Sequence, residues 1–262
     1  MIPPRAPRLS PAAWSRQRRS VLAISLAVAG LVAFLWLMAI PLRAMPEPIG
    51  SAATQFAEGA RVTVALTLIA GAIGLALGML AALGKLSRFV ALRWAAGLYV
   101  WAIRGTPLLV QVLFVFLALP ALVPGLQLSD FHSAVLALAF NSGAYNAEAI
   151  RAGILAVPRG QVHAAQSLGL NGRQTFRYVV FPQSLRIALP SLVNNIVSLL
   201  KDSSLAYVIG VVELSNIGNR IQAATFEPVP VFITVASIYL VLTTVLTQIS
   251  GAIERRLNLE QH

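Results

Sequence analysis

The chain has 262 residues, of which 57% are hydrophobic and only 11% are charged, and its formal net charge is +11. Soluble domains carry about 25% charged residues, so this composition excludes an ordinary water-soluble protein and predicts an integral membrane protein. The chain contains no cysteine, which excludes disulfides, cysteine-ligated metal sites and thiol chemistry.

Apolar windows predict the membrane-spanning helices, because a helix needs about 20 apolar residues to cross the hydrocarbon core. Four windows have no charged residue, and two others each carry one acidic and one basic residue. In chain order the windows are 21–42, 62–84, 105–129, 133–157, 187–212 and 228–253. They are too long and too hydrophobic for barrel strands, so we predict an all-α polytopic bundle of about six transmembrane helices.

The first window follows a basic leader, residues 1–20, as the apolar part of a signal peptide would. Its run of about 22 residues exceeds the usual 7–15 of such a segment. The sequence Pro41-Leu42-Arg43 is also a poor cleavage site, because it lacks small residues. We therefore predict that residues 21–42 form a true transmembrane helix.

The positive charges predict the orientation of the chain in the membrane. Most of the 20 lysines and arginines fall in segments that are cytoplasmic if the N-terminus lies inside. Cytoplasmic loops carry the excess of positive charge, so both termini are predicted to be cytoplasmic. The net charge is then a topology signal rather than the mark of a nucleic-acid-binding protein.

A polar, basic segment separates the fourth and fifth windows, and its pattern predicts short helices rather than an irregular loop. Residues 162–168 are predicted to be helical, with Gly169 placed to end that helix as a C-cap. Residues 174–180 are predicted to form a second short helix that Pro182 ends. Such a helix–glycine–helix module has apolar positions to bury. It must pack either on the protein's own membrane domain or on another chain.

The segment contains Ala164-Ala165, then Gly169 after three residues, and Val179-x-Phe181-Pro182 after nine more. This pattern resembles the cytoplasmic signature of ABC importer permeases. His163 stands where the signature has an acidic residue, a substitution that could lose an anionic contact or gain a titratable one. Four further stretches are similar to the polar amino acid uptake branch of that family: 103–111, 145–161, 186–214 and 239–257.

The resemblance implies a domain organisation. It covers roughly 56–257, which would be the five-helix transmembrane domain of an importer permease, with a coupling loop at 158–183. Residues 21–42 would be an additional N-terminal helix, and 258–262 a cytoplasmic tail. The loop would contain a coupling helix that docks in a groove of an ATPase subunit. The residues expected to serve that contact are His163, Ala164, Ala165, Gly169, Arg173 and Pro182.

The resemblance also implies a function. The chain would be the permease subunit of an ATP-driven importer in the bacterial cytoplasmic (inner) membrane. It would carry polar or charged amino acids delivered by a periplasmic or extracellular solute-binding protein. Two permease subunits, this chain with a second copy or a paralogue, would pair with two ATP-binding cassette ATPase subunits. This chain is expected to be no enzyme and to bind no cofactor or metal, since the partner ATPase uses ATP and Mg.

The sequence itself offers no energy source for transport. The stretch 78–86, "GMLAALGKL", has five residues between its glycines and a leucine where a phosphate loop needs Ser or Thr.

Within the second window, Gly74 and Gly78 form a small-xxx-small face. That face could pack within the subunit or form a dimer seam.

Polar residues inside the predicted spans are candidates for a substrate pathway or gate, because such groups are costly in lipid and face a cavity or a partner. The candidates are Glu148, Asn194, Ser198, Lys201 and Asp202. Structural pairing is the alternative. Glu148 lies one turn from Arg151 and could form a helix-surface ion pair. Lys201 and Asp202 cannot share one helix face, so each is expected to need its own neighbour.

Pro107 is predicted to mark a helix start or break, with Thr106 as its N-cap.

Two other functional classes remain. An ion-gradient-driven secondary transporter would show inverted repeats and broken helices, but no convincing repeat is present and the signature-like loop would be unexplained. An intramembrane hydrolase would need a nucleophile and a base. The stretch 140–143, "FNSG", matches a serine motif only in part, and His132 and His163 fall on opposite predicted sides of the membrane.

Overall fold

The computed structural model describes residues 11–258, in which helices are joined by short turns and no strand occurs. The predicted leader and tail therefore lie partly outside the described residues. The α-helices are α1 (Pro11–Leu37), α2 (Ala39–Arg43), α3 (Ile49–Lys85), α4 (Val90–Arg104), α5 (Leu108–Leu113), α6 (Leu119–Leu122), α7 (Asp130–Leu155), α8 (Arg159–Ser167), α9 (Gly172–Thr175), α10 (Phe181–Asp202), α11 (Leu214–Thr225) and α12 (Pro228–Asn258). Two π-helices, Phe114–Ala118 and Phe176–Val180, and a 3-10 helix, Ser203–Ile209, join some of them.

Three segments in the described part are single helices long and apolar enough to cross a membrane: Ile24–Arg43, Ile49–Lys85 and Pro228–Ile253. Two further segments pass the same test only as bent pairs. Val90–Arg104 and Leu108–Leu122 meet at 109°, and Gly172–Ile209 and Leu214–Thr225 meet at 50°. The all-helical membrane fold is thus present, with three to five spans by length and composition. The predicted number of six stays a prediction.

The third predicted span, 105–129, is helical over Leu108–Leu122 and forms a bent pair with α4, so the predicted helix start or break at Pro107 is confirmed. Its first residues form the turn after α4, and the helical part ends at Leu122. The apolar window also missed α4 itself, which lies in a stretch interrupted by Arg93 and Arg104. Pro107 explains the break, since proline has no backbone N–H to continue α4 into α5.

The glycine face of α3 packs against α7 of the same chain. A Cβ atom built on Gly74 would lie 2.9 Å from Ser142 Cβ, and one on Gly78 would lie 2.6 Å from Asn146 Cβ. Only glycine permits helices to approach this closely. The alternative of packing within the subunit is therefore confirmed for the small-xxx-small face.

The additional N-terminal helix is joined to the bundle at its second half. Leu35 and Met38 are buried with Phe56 of α3 and Leu242 of α12 in one apolar cluster. The Arg61 guanidinium also lies 5.1 Å from the centre of the Trp36 ring, within cation–π range. Earlier side chains such as Leu22 and Leu26 remain exposed.

A buried carboxylate ties α3, α11 and α12 together. Glu213 is 0% exposed and caps α11, accepting hydrogen bonds from the backbone N–H of Ser215 and Asn216 at 2.9 and 2.8 Å. The Tyr239 hydroxyl donates to the same side chain at 3.0 Å, and the Thr63 hydroxyl lies 3.4 Å from it. Hydrogen bonding to four partners offsets the desolvation of the carboxylate. Glu213 is not among the residues predicted from the sequence.

Candidate functional site: a polar cavity and a projecting helix–glycine–helix segment

The break between α4 and α5 forms one wall of a polar cavity. Because Pro107 cannot donate, the carbonyls at the end of α4 need other partners. The Thr106 hydroxyl donates to Ala102 O at 2.9 Å, and the Gln111 side-chain amide donates to Ile103 O at 2.7 Å. Thr106 thus closes the end of α4 rather than capping α5. Its predicted role as N-cap is wrong, since Pro107 occupies that position without a side-chain bond.

The cavity has a volume of about 490 Å³ and lies between the α4–α5 turn, α7 and α10. Its lining is mostly polar, unlike the rest of the membrane domain. The lining residues are Thr106, Pro107, Leu108, Asn141, Ser142, Tyr145, Asn195, Ser198, Leu199, Lys201 and Asp202. Convergent polar groups in a concave site can fix the orientation of a small polar solute.

Hydrogen bonds between buried amides hold the walls of the cavity together. Asn141 donates to Gln111 Oε1 at 3.0 Å, which joins α7 to α5. Asn195 donates to Asn146 Oδ1 at 2.9 Å, which joins α10 to α7. Asn146 in turn donates to Ser142 Oγ at 3.2 Å. These amide groups thus satisfy one another, as polar groups inside a protein generally do.

Three of the five predicted pathway residues line this cavity: Ser198, Lys201 and Asp202. Asn194 is exposed outside the lining, and the adjacent Asn195 takes the place that was predicted for it. The residues of α7 that line the cavity were not among the predicted pathway residues. Asn141, Ser142 and Tyr145 recur there at helical spacing, a signal that could have found it.

Glu148 lies elsewhere, in an ion cluster between α3 and α7. Its carboxylate pairs with Lys85, and Arg151 contacts it at 2.8 Å through Nη2. The contact with Arg151 is the helix-surface ion pair that the sequence offered as an alternative. The structure thus separates Glu148 from the other pathway candidates.

Lys201 and Asp202 both face the cavity, although they are adjacent in sequence. The cavity surrounds the end of α10, where the chain passes into the 3-10 helix, so both side chains reach it. Among the side chains that the structure describes, neither residue forms an ion pair or a side-chain hydrogen bond with another helix. A charged pair is therefore left facing a polar space.

The helix–glycine–helix segment is built as the sequence predicts in its first half. Gly169 has φ +86°, and its N–H donates to Gln166 O while that of Leu170 donates to Ala165 O. These two bonds form a Schellman motif, which ends α8 and requires a left-handed residue at the glycine position. The Gly169 C-cap is therefore confirmed. A capping box between Asn171 and Gln174 then begins the next helix.

Pro182 does not end the second helix, contrary to the prediction. The chain continues from α9 through the π-helix Phe176–Val180 directly into α10. In the π-turn the Phe181 N–H donates to Phe176 O, five residues back rather than four. The altered hydrogen-bond register lets proline sit in the first turn of α10, where a missing N–H is tolerated.

The segment presents an exposed outer surface. Ala165 is buried against the second half of the segment, whereas His163, Ala164 and Arg173 are exposed. Leu168 is 84% exposed at the turn, which is unusual for a large apolar side chain. The first helix thus packs on the segment itself and leaves an uncovered face with both apolar and basic groups.

An apolar helical bundle with a polar cavity and a projecting helical segment defines the class of a membrane transport protein. The hydrolase alternative has no matching site, since Ser142 bonds to Asn146 and His132 bonds to Ser129 at the start of α7. Residues 74–259 match the family described as "Binding-protein-dependent transport system inner membrane component".

The L-cystine transport system permease protein TcyB of Bacillus subtilis (strain 168) is 40% identical over 201 residues, which are 76% of this chain and 85% of that protein. The glutamine transport system permease protein GlnP of Escherichia coli (strain K12) is 38% identical over 202 residues, covering 77% and 92% of the two chains. A crystal structure of an amino acid ABC transporter with histidines matches with a TM-score of 0.74 and 39% identity, over 79% and 95% of the chains.

An inward-facing structure of the MetNI methionine ABC transporter shares the fold at 20% identity, with a TM-score of 0.69. The chain therefore belongs to the family of inner-membrane components of binding-protein-dependent transport systems. The predicted resemblance to ABC importer permeases is confirmed. Members of this family are transport subunits, and the alternative of a secondary transporter is not favoured even though the fold contains broken helices.

Proposed function

We propose that this chain forms the translocation pathway of an ATP-driven importer for amino acids with polar or charged side chains. The observation that carries the proposal is the polar cavity, whose lining includes Lys201 and Asp202, neither of them in an ion pair among the described side chains. The relatives of the chain include permeases named for cystine, glutamine and arginine transport. A solute-binding protein on the outer side would deliver the amino acid to it.

The chemistry of the cavity suits a free amino acid. Every such solute carries an ammonium and a carboxylate group, whatever its side chain. The Asp202 carboxylate would accept hydrogen bonds from the ammonium group, and the Lys201 ammonium would pair with the carboxylate. Ser198, Tyr145 and Asn195 would then contact the remainder of the solute. In this way the solute would supply the partners that the two charged residues do not find among the described side chains.

The helix–glycine–helix segment would couple the cavity to ATP hydrolysis. Residues 158–183 would dock on a partner ATPase through the exposed face of α8, where His163, Ala164 and Leu168 are uncovered. Arg173 would contribute a basic group at the rim. The Gly169 turn and Pro182 would set the angle at which α8 projects from α10. ATP and Mg would be bound by the ATPase alone.

In this proposal the complex contains two permease chains, identical or paralogous, two ATPase subunits and a solute-binding protein. The transport domain would be 56–257, with both termini in the cytoplasm of a bacterial cell. The helix at 21–42 would be an addition to that domain. Its packing against α3 and α12 supports a role in stabilising the bundle.

Reconstituted proteoliposomes test the proposal. Uptake of each of the twenty amino acids is measured with ATP inside the vesicles, and again with an ion gradient and no ATP. We expect ATP-dependent uptake of polar or charged amino acids. Uptake that follows the ion gradient and ignores ATP would contradict the proposed function.

The site assignment is tested by Asp202→Asn in the same complex, with Asp130→Asn as the matched control. Asp130 lies in the first turn of α7 and bonds only to the neighbouring Phe131 N–H among the described residues. We expect Asp202→Asn to keep the folded yield and to lower uptake at least about tenfold, since it removes a charge-assisted contact of about 1.5–3 kcal/mol. A loss of yield with normal uptake per folded complex would show that Asp202 is structural.

A further inference from the structure

The α4–α5 break separates two cavities of opposite character. On one side lies the polar cavity described above. On the other side is an apolar cavity of about 570 Å³, lined mainly by aliphatic and aromatic groups such as Val110, Phe114 and Phe140. Thr106 lines both cavities. Thr106, in the turn between the two helices, is thus shared by the two linings.

Packing supports the helix that follows the turn, since Val112 is fully buried and Leu108 packs against two apolar clusters. Side-chain hydrogen bonds add to this support at the 109° angle between the two helices. The Thr106 hydroxyl donates to Ala102 O and closes the end of α4. The Gln111 amide joins α5 back to the end of α4 and to α7.

Gln111 is only 9% exposed, and its amide bonds to both sides of the break. Its Nε2 atom lies 2.7 Å from Ile103 O, 3.0 Å from Thr106 O and 2.9 Å from Thr106 Oγ1. Its Oε1 atom accepts from Asn141 of α7 at 3.0 Å. One residue thus joins the end of α4, the turn, the start of α5 and the opposite wall of the polar cavity.

We propose that Gln111 is a positioning residue that holds the Thr106–Pro107 wall and the Asn141 side chain in place, and so sets how tightly and how selectively the polar cavity takes its solute. The proposal rests on the proposed function, in which that cavity is the solute pathway. Gln111 itself does not line the polar cavity, so it acts through its neighbours.

The test is Gln111→Met in the reconstituted complex, since methionine keeps the length of the side chain and removes every hydrogen bond. We expect the apparent KM for uptake to rise about fivefold or more, which corresponds to about 1 kcal/mol. The preference among amino acids should also become weaker, while the maximal rate and the solute-independent ATP hydrolysis stay within about twofold of the wild type, because the coupling segment is untouched. The matched control is Gln55→Met on an exposed face of α3, with no expected change.

Gln111→Asn covers the case in which the methionine variant fails to fold. It keeps an amide but is one methylene shorter, so it cannot reach both Ile103 O and Asn141, and the KM shift should have the same direction. A second measurement reports the wall directly. Spin labels are attached to cysteines placed at the exposed Trp94 and Leu117 in this cysteine-free chain. The distance distribution across the break should broaden in either variant.

The outcomes separate this inference from the proposed function. If Asp202→Asn alters uptake but both Gln111 variants keep the wild-type KM and preference, Gln111 is purely structural and the inference is overturned. A lower folded yield with unchanged KM has the same meaning. If neither Asp202→Asn nor the Gln111 variants alter uptake, the polar cavity is not the pathway, and the site assignment is overturned as well.

Discussion

Gly78→Ala should destabilise the bundle, because it adds one methyl group where α3 and α7 are closest. The new Cβ would lie 2.6 Å from Asn146 Cβ, 3.0 Å from Gly143 O and 3.1 Å from Ala147 N. Ordinary contact begins at 3.4 Å, so the first pair must separate by about 0.8 Å. Two of these neighbours are backbone atoms of a buried helix and cannot rotate away. Overpacking of this kind costs about 1–3 kcal/mol.

The assay is thermal unfolding of the purified permease complex in detergent, followed by circular dichroism. For a chain of this size, each kcal/mol lowers the unfolding midpoint by about 2–4 °C. Gly97→Ala is the matched control, since Gly97 is also inside a helix but a Cβ there would meet nothing within 4 Å. The control should gain about 0.5–1 kcal/mol from the better helix propensity of alanine. Equal midpoints for the two variants would refute the packing argument.

Three further predictions address other parts of the chain. Gly169→Asp should uncouple uptake from ATP hydrolysis without lowering membrane insertion, because only glycine adopts φ +86° without strain; unchanged uptake with normal subunit stoichiometry would contradict this. Glu213→Ala should lower the free energy of unfolding by about 3–5 kcal/mol. The substitution removes a helix cap and takes this hydrogen-bond partner from the Tyr239 hydroxyl and two backbone N–H groups. An unfolding midpoint within one degree of the wild type in the same thermal assay would contradict this prediction. Cysteines placed singly at Gln127 and Glu227 should react with an impermeant reagent added from outside. Cysteines at Ser87 and Ser167 should react only after the membrane is permeabilised. The inverted pattern would overturn the charge-based topology.

The sequence predicts local features well where one residue type carries the signal. Gly169 ends α8 as predicted, because glycine adopts the left-handed conformation of a C-cap without strain and needs no distant contact to do so. The family was recognisable for a similar reason, since its signature lies within one short segment. The long apolar helices α3 and α12 also follow from composition alone, because length and hydrophobicity are what a bilayer requires.

Two predictions failed at prolines, for different reasons. The sequence predicts a break at Pro107, but apolar content could not show that α4 would precede it at 109°, an arrangement that Gln111 and Asn141 of another helix stabilise. Pro182 marks a helix end in isolation, whereas the preceding π-turn carries the chain past it. The first outcome depends on a partner in another helix and the second on a change of hydrogen-bond register within one helix, so neither follows from the proline alone.

By itself the sequence determined the class of this protein: a helical membrane protein with charge asymmetry, no cysteine and the signature of an importer permease. Only the tertiary structure decided which polar residues share one site. In the structure Glu148 lies in an ion cluster with Lys85, whereas Asn141 of α7 and Asp202 of α10 line the same cavity. The physical reason is that a polar group buried in a bilayer must find its partner in space. Which helix supplies that partner depends on how the helices pack.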